Sequence, residues 1–461
     1  MFHRARPDHA ARAGHEMTTP KRRIWGWFFF DWASQPYNTL LMTFIFAPYM
    51  ASIMQDGTAA QTVWGYGIGA AGILIALGSP LLGTIADHTG GRMRFILLFS
   101  LMYVIGSWGL WYARPDDPNI WLVMLSFGIG LLGMEFATTF TNSLLPDLGT
   151  REEIGRISGS GWAFGYLGGV VSLILVLFFL AENPEGKTLL GGAPLFGLDA
   201  ASREGTRAVG PFTAIWYAIF MVPFFLWVRE PRKADAISVS AAARRALPDL
   251  KQSLRALPHQ RSLFHFLISS MLYRDALNGM FTFGGIYAAG VLGWSVTFVG
   301  IFGILAAITG AVFTWLGGHA DSRFGPKPVI KGCLVILSLV AISIVFVSRE
   351  AVFGLAVGPE SHMPDIAFFI LGGLIGAAGG SIQAASRTMM VRQADPERIT
   401  EAFGLYALAG KATSFIAPLS IAVVTAATQS QAAGITPLVV LFLIGLILLA
   451  PVRPQGDHAT P

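Results

Sequence analysis

Residues Trp25 to Tyr49 read WGWFFFDWASQPYNTLLMTFIFAPY. The run is long enough to cross a bilayer, since about 20 apolar residues span the hydrocarbon. Yet it carries Asp31, Gln35 and Asn38, at i, i+4 and i+7, which on a helix form one polar stripe. An ionisable group facing lipid costs roughly 2.5–3.5 kcal/mol even on the lenient insertion scale. The stripe must therefore face other helices or a water-filled cavity. The other hydrophobic segments read as the wall around that cavity.

Composition fixes the class. Of 461 residues, 53% are hydrophobic and 13% charged, about half the charged share of a soluble domain, and the mean hydropathy is +0.58. An all-α polytopic membrane protein is expected. A single cysteine, Cys333, excludes an internal disulfide and a thiol–metal cluster. No phosphate-binding G-x-x-x-x-G-K-[ST] loop and no H-E-x-x-H occurs, so neither direct ATP drive nor a metal, cofactor or enzymatic activity is expected. The net charge of +5 reads as loop asymmetry and not as nucleic-acid affinity. The polar residues 1–20 lack the features of a cleavable signal peptide, and Met17 is a second candidate start.

Twelve apolar segments are expected as spans, at about 24–51, 61–86, 95–113, 119–146, 157–181, 210–228, 262–291, 295–318, 329–348, 366–391, 400–428 and 436–451. They group into a tail (1–23), a six-helix bundle (24–228), a basic linker (229–261), a second bundle (262–452) and a tail (453–461). Most lysines and arginines, among them Arg92, Arg94, Arg156, Arg244, Arg323 and Arg387, are assigned to one set of loops. The other set holds few, such as Arg114 and Arg349. The positive-inside rule then places both termini and the linker in the cytoplasm and Glu182–Gly210 outside. Within the linker, Ala243–Leu257 reads either as a short amphipathic helix on anionic lipid or as a plain connection. A repeat links the halves. Gly83-Thr-Ile-Ala-Asp87-His-Thr-Gly90-Gly-Arg92-Met-Arg94 follows the second span, and Gly317-Gly-His-Ala-Asp321-Ser-Arg323-Phe-Gly325-Pro-Lys327 follows the eighth. The first span of each half also carries an acid with a nearby amide, Asp31 with Asn38 and Asp275 with Asn278.

These two loops resemble the signature of the major facilitator superfamily between its second and third helices and its echo between the eighth and ninth. Three further stretches resemble the vacuolar-effluxer-like branch, which comprises fungal vacuolar amino-acid effluxers and bacterial relatives. They are F-D-W-A-S-Q-P-Y around Asp31, L-P-D…E-E-I-G-R-I-S-G-S-G-W-A-F-G-Y-L-G-G from Leu145 to Gly169, and R-D-A-L-N-G-M-F-T-F-G-G-I-Y from Arg274 to Tyr287. The resemblance implies a secondary transporter in a bacterial inner membrane, monomeric, moving a small organic solute such as an amino acid by alternating access. It also implies a cavity lined by spans one, four, seven and ten, with Gln383 on the tenth. Two departures stand out: His88 replaces a basic residue after Asp87, and the fourth span carries Glu135 in place of an arginine.

The intramembrane charges are Asp31, Glu135, Arg274, Asp275 and Lys411. Glu135, Thr138 or Thr139, and Asn142 share a face of the fourth span; Asp275, Asn278 and Thr282 share one on the seventh. A carboxylate without a cation nearby would hold a proton near neutral pH, which a proton-coupled carrier needs. Asp31 and Glu135 have no cation close in sequence. Arg274 and Asp275 either serve the cavity or sit in fixed ion pairs, and Lys411 either contacts a substrate carboxylate or neutralises an acid. Asp87 and Asp321, at helix ends, are expected beside the positive start of a neighbouring helix. There, in loops that also hold Gly83, Gly90 and Gly317, and with Arg92, Arg94, Arg323 and Lys327 pairing to acids of adjacent helices, they would hold a cytoplasmic gate closed. Gly161, Gly165 and Gly169, and Gly372, Gly376 and Gly380, form ridges that let helices approach closely. An exporter of amphipathic or lipid-like compounds, or a non-transporting receptor on the same fold, are the alternative readings.

Overall fold

The computed structural model describes residues 21–457 apart from 55–56, 117, 184, 231–232, 234, 295 and 359. Most of the expected N-terminal tail, Met17 included, lies outside the described residues. The first helical run is not one helix. It is α1 (Lys21–Pro36), a π-helical segment Tyr37–Phe44, and α2 (Phe46–Ile53). The change of period follows Pro36, and the Ile45 N–H reaches back to the Leu40 carbonyl. There follow α3 (Gly57–Thr89), α4 (Arg92–Gly109), α5 (Ile120–Ser143), α6 (Ile154–Phe179), and a broken run α7 (Glu204–Arg207), α8 (Val209–Phe220) and α9 (Val222–Trp227). Next come α10 (Val239–Ala256), α11 (Arg261–Gly290), α12 (Val296–Phe324) and α13 (Pro326–Val345). After a hairpin of β1 (Ala351–Val352) and β2 (Leu355–Ala356) come α14 (Met363–Gln393), α15 (Ile399–Ala412), α16 (Ile416–Thr428), α17 (Gln431–Gly434) and α18 (Thr436–Leu449).

The protein is an all-α, multi-spanning membrane fold. Among the described residues, ten helical runs are long and apolar enough to cross a bilayer. Twelve such runs were expected; the two that fall short are the run from Lys21 and α11. The reason is physical. The first is interrupted at Tyr37, and α11 carries His265, Arg274, Asp275 and several serines among its apolar residues. Both spend their polar side chains on neighbouring helices. On α1 and its extension, Trp27 Nε1 donates to the Thr141 carbonyl of α5 (2.9 Å) and the Tyr37 hydroxyl to the Phe127 carbonyl (2.6 Å). Two bonds come back to α1, from Tyr103 of α4 to the Ser34 carbonyl and from Trp216 of α8 to the Trp32 carbonyl.

Two hydrophobic cores form, each from one contiguous part of the chain. Trp27, Tyr37, Phe127, Phe140 and Phe224 belong to one, and Phe266, Tyr273, Ile382, Phe403 and Phe442 to the other. Where α6 meets α12 and α3 meets α15, the two parts touch through glycines. A Cβ on Gly159 would lie 2.5 Å from the Gly318 Cα, and one on Gly83 would lie 2.6 Å from the Thr400 carbonyl oxygen. Gly161, Gly165 and Gly169 seat α6 against Trp27, Asp31, Gln35 and Thr39 of the first run. Gly372, Gly376 and Gly380 seat α14 against Phe302, the Ala306 carbonyl and Thr314 of α12. The segment between α9 and α11 holds α10, longer than the sequence pattern indicated. Ser238 caps it by accepting from Ala241 N, and it packs on α3 with Ala242, Ala246 and Leu250 buried.

The backbone approach at Gly159 predicts opposite signs for two alanine substitutions. Gly159→Ala must push α6 and α12 apart and should destabilise by about 1–3 kcal/mol. Gly72→Ala, where a Cβ meets nothing within 4 Å, should stabilise by up to about 1 kcal/mol. Thermal unfolding in detergent separates the two.

Candidate functional site

The site is built around a residue assigned from sequence to a loop. Arg387 lies inside α14, six residues before its end, and its side chain is 2% exposed. A buried guanidinium needs acceptors for its N–H groups, and this one finds them mostly in the first half of the chain. Nε donates to Ser158 Oγ (3.0 Å) and Nη2 to the Ser158 carbonyl (2.7 Å) of α6. Nη1 donates to Asn142 Oδ1 of α5 (3.1 Å) and to Asp31 Oδ2 of α1 (3.2 Å). The guanidinium carbon lies 4.5 Å from the Trp27 ring centre and 5.0 Å from that of Trp162, so the charge is also held over two indole faces. Asp31 therefore does have a cation, supplied 356 residues away.

Glu135 has one too. Lys411 Nζ of α15 reaches its Oε1 at 2.7 Å, and the two side chains are 24% and 29% exposed. Of the alternatives for Lys411, neutralising an acid is the one realised here. The Thr138 and Thr139 hydroxyls turn back to their own helix, to the carbonyls of Met134 and Glu135. On α11 no ion pair involves Arg274 or Asp275 among the described residues. Arg274 donates to the Tyr406 carbonyl (2.8 Å) and stacks over that ring (4.2 Å). Asp275 is buried and accepts from Ala417 N (2.8 Å), at the N-terminus of α16, where the break after α15 leaves backbone donors free. Gln383 is half-buried and donates to the Gly379 carbonyl; Gln35 packs on the Gly169 position; Asn38 is half-buried and Asn278 exposed.

At the α10 end of the molecule, Asp87 closes α3 onto α15. Its two carboxylate oxygens accept from Thr400 N (3.1 Å) and Glu401 N (2.8 Å), at the start of α15, where anions are favoured. Glu401, which sequence reasoning passed over, is buried and accepts from Thr84 Oγ1 (2.9 Å) and Arg398 (2.6 Å). The second copy of the loop sits likewise at the start of α6. Asp321 abuts Gly155, and Ser322 Oγ accepts from Arg156 N (2.8 Å). Gly317 abuts Ser381. Gly90 (φ +57°) and Gly325 (φ +85°) make left-handed turns after these helices. Of the four bases, Arg92 alone pairs with acids, Glu230 (2.7 Å) and Asp147 (2.8 Å). Among the described residues Arg94, Arg323 and Lys327 form no ion pair. Arg94 is exposed, Arg323 lies by the Phe324 ring, and Lys327 donates to the Ala450 and Val452 carbonyls past the end of α18. His88 pairs with Asp249 of α10 at 2.7 Å. No cluster able to hold a metal ion occurs among the described residues.

Removing one partner of a buried ion pair leaves the other charge uncompensated. Asp31→Ala should therefore lower stability by about 3–5 kcal/mol. Combining it with Arg387→Met should recover much of that loss, which a double-mutant cycle on unfolding midpoints measures.

Comparison with known proteins places this arrangement. Residues 65–455 match the family model described as "Vacuole effluxer Atg22 like". The MFS-type transporter YxiO of Bacillus subtilis is 26% identical over 92% of this chain and 93% of its own length. Autophagy-related protein 22 of Cryptococcus neoformans is 23% identical over 65% of this chain, which spans half the length of that fungal protein. Among solved structures, FucP in its outward conformation superposes with a TM-score of 0.68 at 14% identity, over 94% of this chain and 98% of FucP. The proton:xylose symporter XylE gives 0.67 at 13% identity, over 94% and 95%. The chain belongs to the vacuole effluxer Atg22-like family of major facilitator superfamily transporters.

Proposed function

We propose that the protein is a twelve-span carrier of two six-helix bundles, 24–228 and 262–452, that moves a small zwitterionic solute by alternating access. The observation that carries this reading is the pair of acid–base contacts between the bundles, Asp31–Arg387 and Glu135–Lys411. The Glu135–Lys411 pair keeps some exposure. An amino acid brings an ammonium and a carboxylate of its own, so it can replace each partner of that pair without leaving a charge unmatched. The sheltered Asp31–Arg387 pair suits a proton instead: protonating Asp31 cancels its attraction for Arg387 and lets α1 and α14 separate. The membrane is a bacterial inner membrane, with the α10 end and both termini (tails 1–23 and 453–461) in the cytoplasm and the linker 229–261 between the bundles. The carrier acts as a monomer, and the family's description as a vacuole effluxer favours efflux.

The closed contacts at the α10 end fit an outward-facing state. There α3 packs on α15, whereas α16, the continuation of α15 toward the other end, packs on α11, α17 and α18. Opening inward requires Asp87 to leave the start of α15 and Asp321 to leave that of α6. Both acids and both helix ends then meet water, so the change is reversible at modest cost.

Two experiments test this. In proteoliposomes, Glu135→Gln and Lys411→Gln should each reduce transport of a zwitterionic amino acid by about 10–100-fold, the effect of losing a charged hydrogen bond. Asp31→Asn should abolish pH-driven accumulation. Wild-type transport in all three, or thermal stabilisation by amphiphiles alone across a solute panel, would overturn the reading. Separately, a disulfide between Thr84→Cys and Glu401→Cys should stop transport until it is reduced. A receptor that does not transport would keep its activity when so locked.

A further inference from the structure

The helix α10 has two faces, and the fold uses one of them. Ala242, Ala246 and Leu250 are buried, and Asp249, the only acid of the helix, is taken by His88 near the end of α3. The opposite side carries Arg244, Lys251 and Arg255, and Arg245 lies one turn before Asp249 on the flank; all four are exposed and, among the described residues, without an ion pair. Beside Arg244, Lys251 and Arg255, which share one stripe at i, i+7 and i+11, runs a second stripe with Leu247 (66% exposed) and Leu254 (42% exposed). The helix thus shows apolar side chains next to a row of three unneutralised bases, with Arg245 on its other flank, at the end of a membrane-crossing helix. A helix of this kind lies in the headgroup plane, with its leucines toward the acyl boundary and its bases on phosphates.

We propose that this outer face of α10 is a docking surface for anionic phospholipid headgroups of the leaflet at that end of the molecule. Charge complementarity selects the occupant, since four uncompensated bases and no free acid favour an anionic surface over a zwitterionic one. The same helix is tied to the contact between α3 and α15. Ile237 N donates to the His88 carbonyl (3.2 Å), Asp249 meets the His88 ring (2.7 Å), and Lys233 Nζ donates to the Asp87 carbonyl (2.7 Å). Lipid seated on α10 therefore braces Asp87 against the start of α15. This second step rests on the gate described above; the docking itself does not.

The two steps have separate readouts. Lipid binding to the purified full-length protein is followed by native mass spectrometry with phosphatidylglycerol or phosphatidylcholine. Each base near an anionic surface contributes about a fivefold gain in binding. The variant Arg244→Gln/Arg245→Gln/Lys251→Gln/Arg255→Gln should thus lose at least about tenfold in phosphatidylglycerol affinity and little for phosphatidylcholine. Lys21→Gln/Arg22→Gln, exposed bases elsewhere at the same end, should leave both unchanged. Unaltered phosphatidylglycerol binding in the four-base variant overturns the docking surface. So does competition by millimolar inorganic phosphate, which would mark a site for free anions. The brace is read from oxidation of the Thr84→Cys/Glu401→Cys protein, several-fold faster in phosphatidylglycerol vesicles than in phosphatidylcholine ones, with that advantage lost in the four-base variant. Equal rates in the two lipids, with selective binding intact, overturn the brace and leave the docking standing.

Discussion

A guanidinium with almost no exposed surface has to be answered in full, because a buried charge without partners costs several kcal/mol. Arg387 is answered by Asp31, Asn142, both oxygens of Ser158 and two indole faces. Every one of those groups comes from α1, α5 or α6, in the other part of the chain. The charge therefore fixes how α14 meets three helices at once. It also explains why α6 is so rich in glycine near Ser158. The Ser158 carbonyl can be offered to Arg387 only if α6 comes close to its neighbours, and Gly155 and Gly159 let it close on α12 while Gly161 lets it close on α1.

The same constraint shapes α1. It must hold an acid at the centre of the molecule and be anchored on all other sides. Bonds between its backbone or indoles and α4, α5 and α8 do that, and Phe164 stacks on Trp32 from α6. A helix so engaged need not be uniformly greasy, and neither must α11, which trades apolar residues for contacts with Tyr406 and Ala417. The lower hydropathy of these two runs is a consequence of their interior role.

This sorts what the sequence could disclose from what it could not. Long apolar runs, the duplicated G-x-x-x-D loops and the polar stripe at Asp31 are local patterns; Asp31 and Gln35 do share α1, while Asn38 falls in the π-helical segment that follows it. Pairings between distant helices leave no such local trace. Glu135 and Lys411 lie 276 residues apart, and Asp31 and Arg387 lie 356 apart, so the two acids looked solitary. Arg387 was taken for a loop residue because it falls close to the end of an apolar segment, where positive-inside arginines gather. The missed signal was its surroundings: Ser381, Ala384, Ala385 and Ser386 are small and give a tightly packed helix, no place for a solvated base. Lys327 and Arg323 were misjudged for the converse reason, since helix-end carbonyls and rings satisfy a base as readily as acids do.

The two kinds of contact between the halves differ in what it takes to break them. At the α10 end, Asp87 and Asp321 face helix N-termini. On separation of Asp87 from α15 both the carboxylate and its two backbone donors are rehydrated, so little is lost and that contact can open and close repeatedly. The Glu135–Lys411 pair is less sheltered than Arg387, with about a quarter of each side chain exposed. Arg387 has no such outlet. It sits over two tryptophans at 2% exposure, and drawing Asp31 away as a charged group would leave it facing indoles and amides. On the carrier reading, that separation is favourable only after Asp31 is neutralised or another anion takes its place. The most buried contact would then be the one that ties movement of the halves to a chemical event, while the more hydrated contacts follow it.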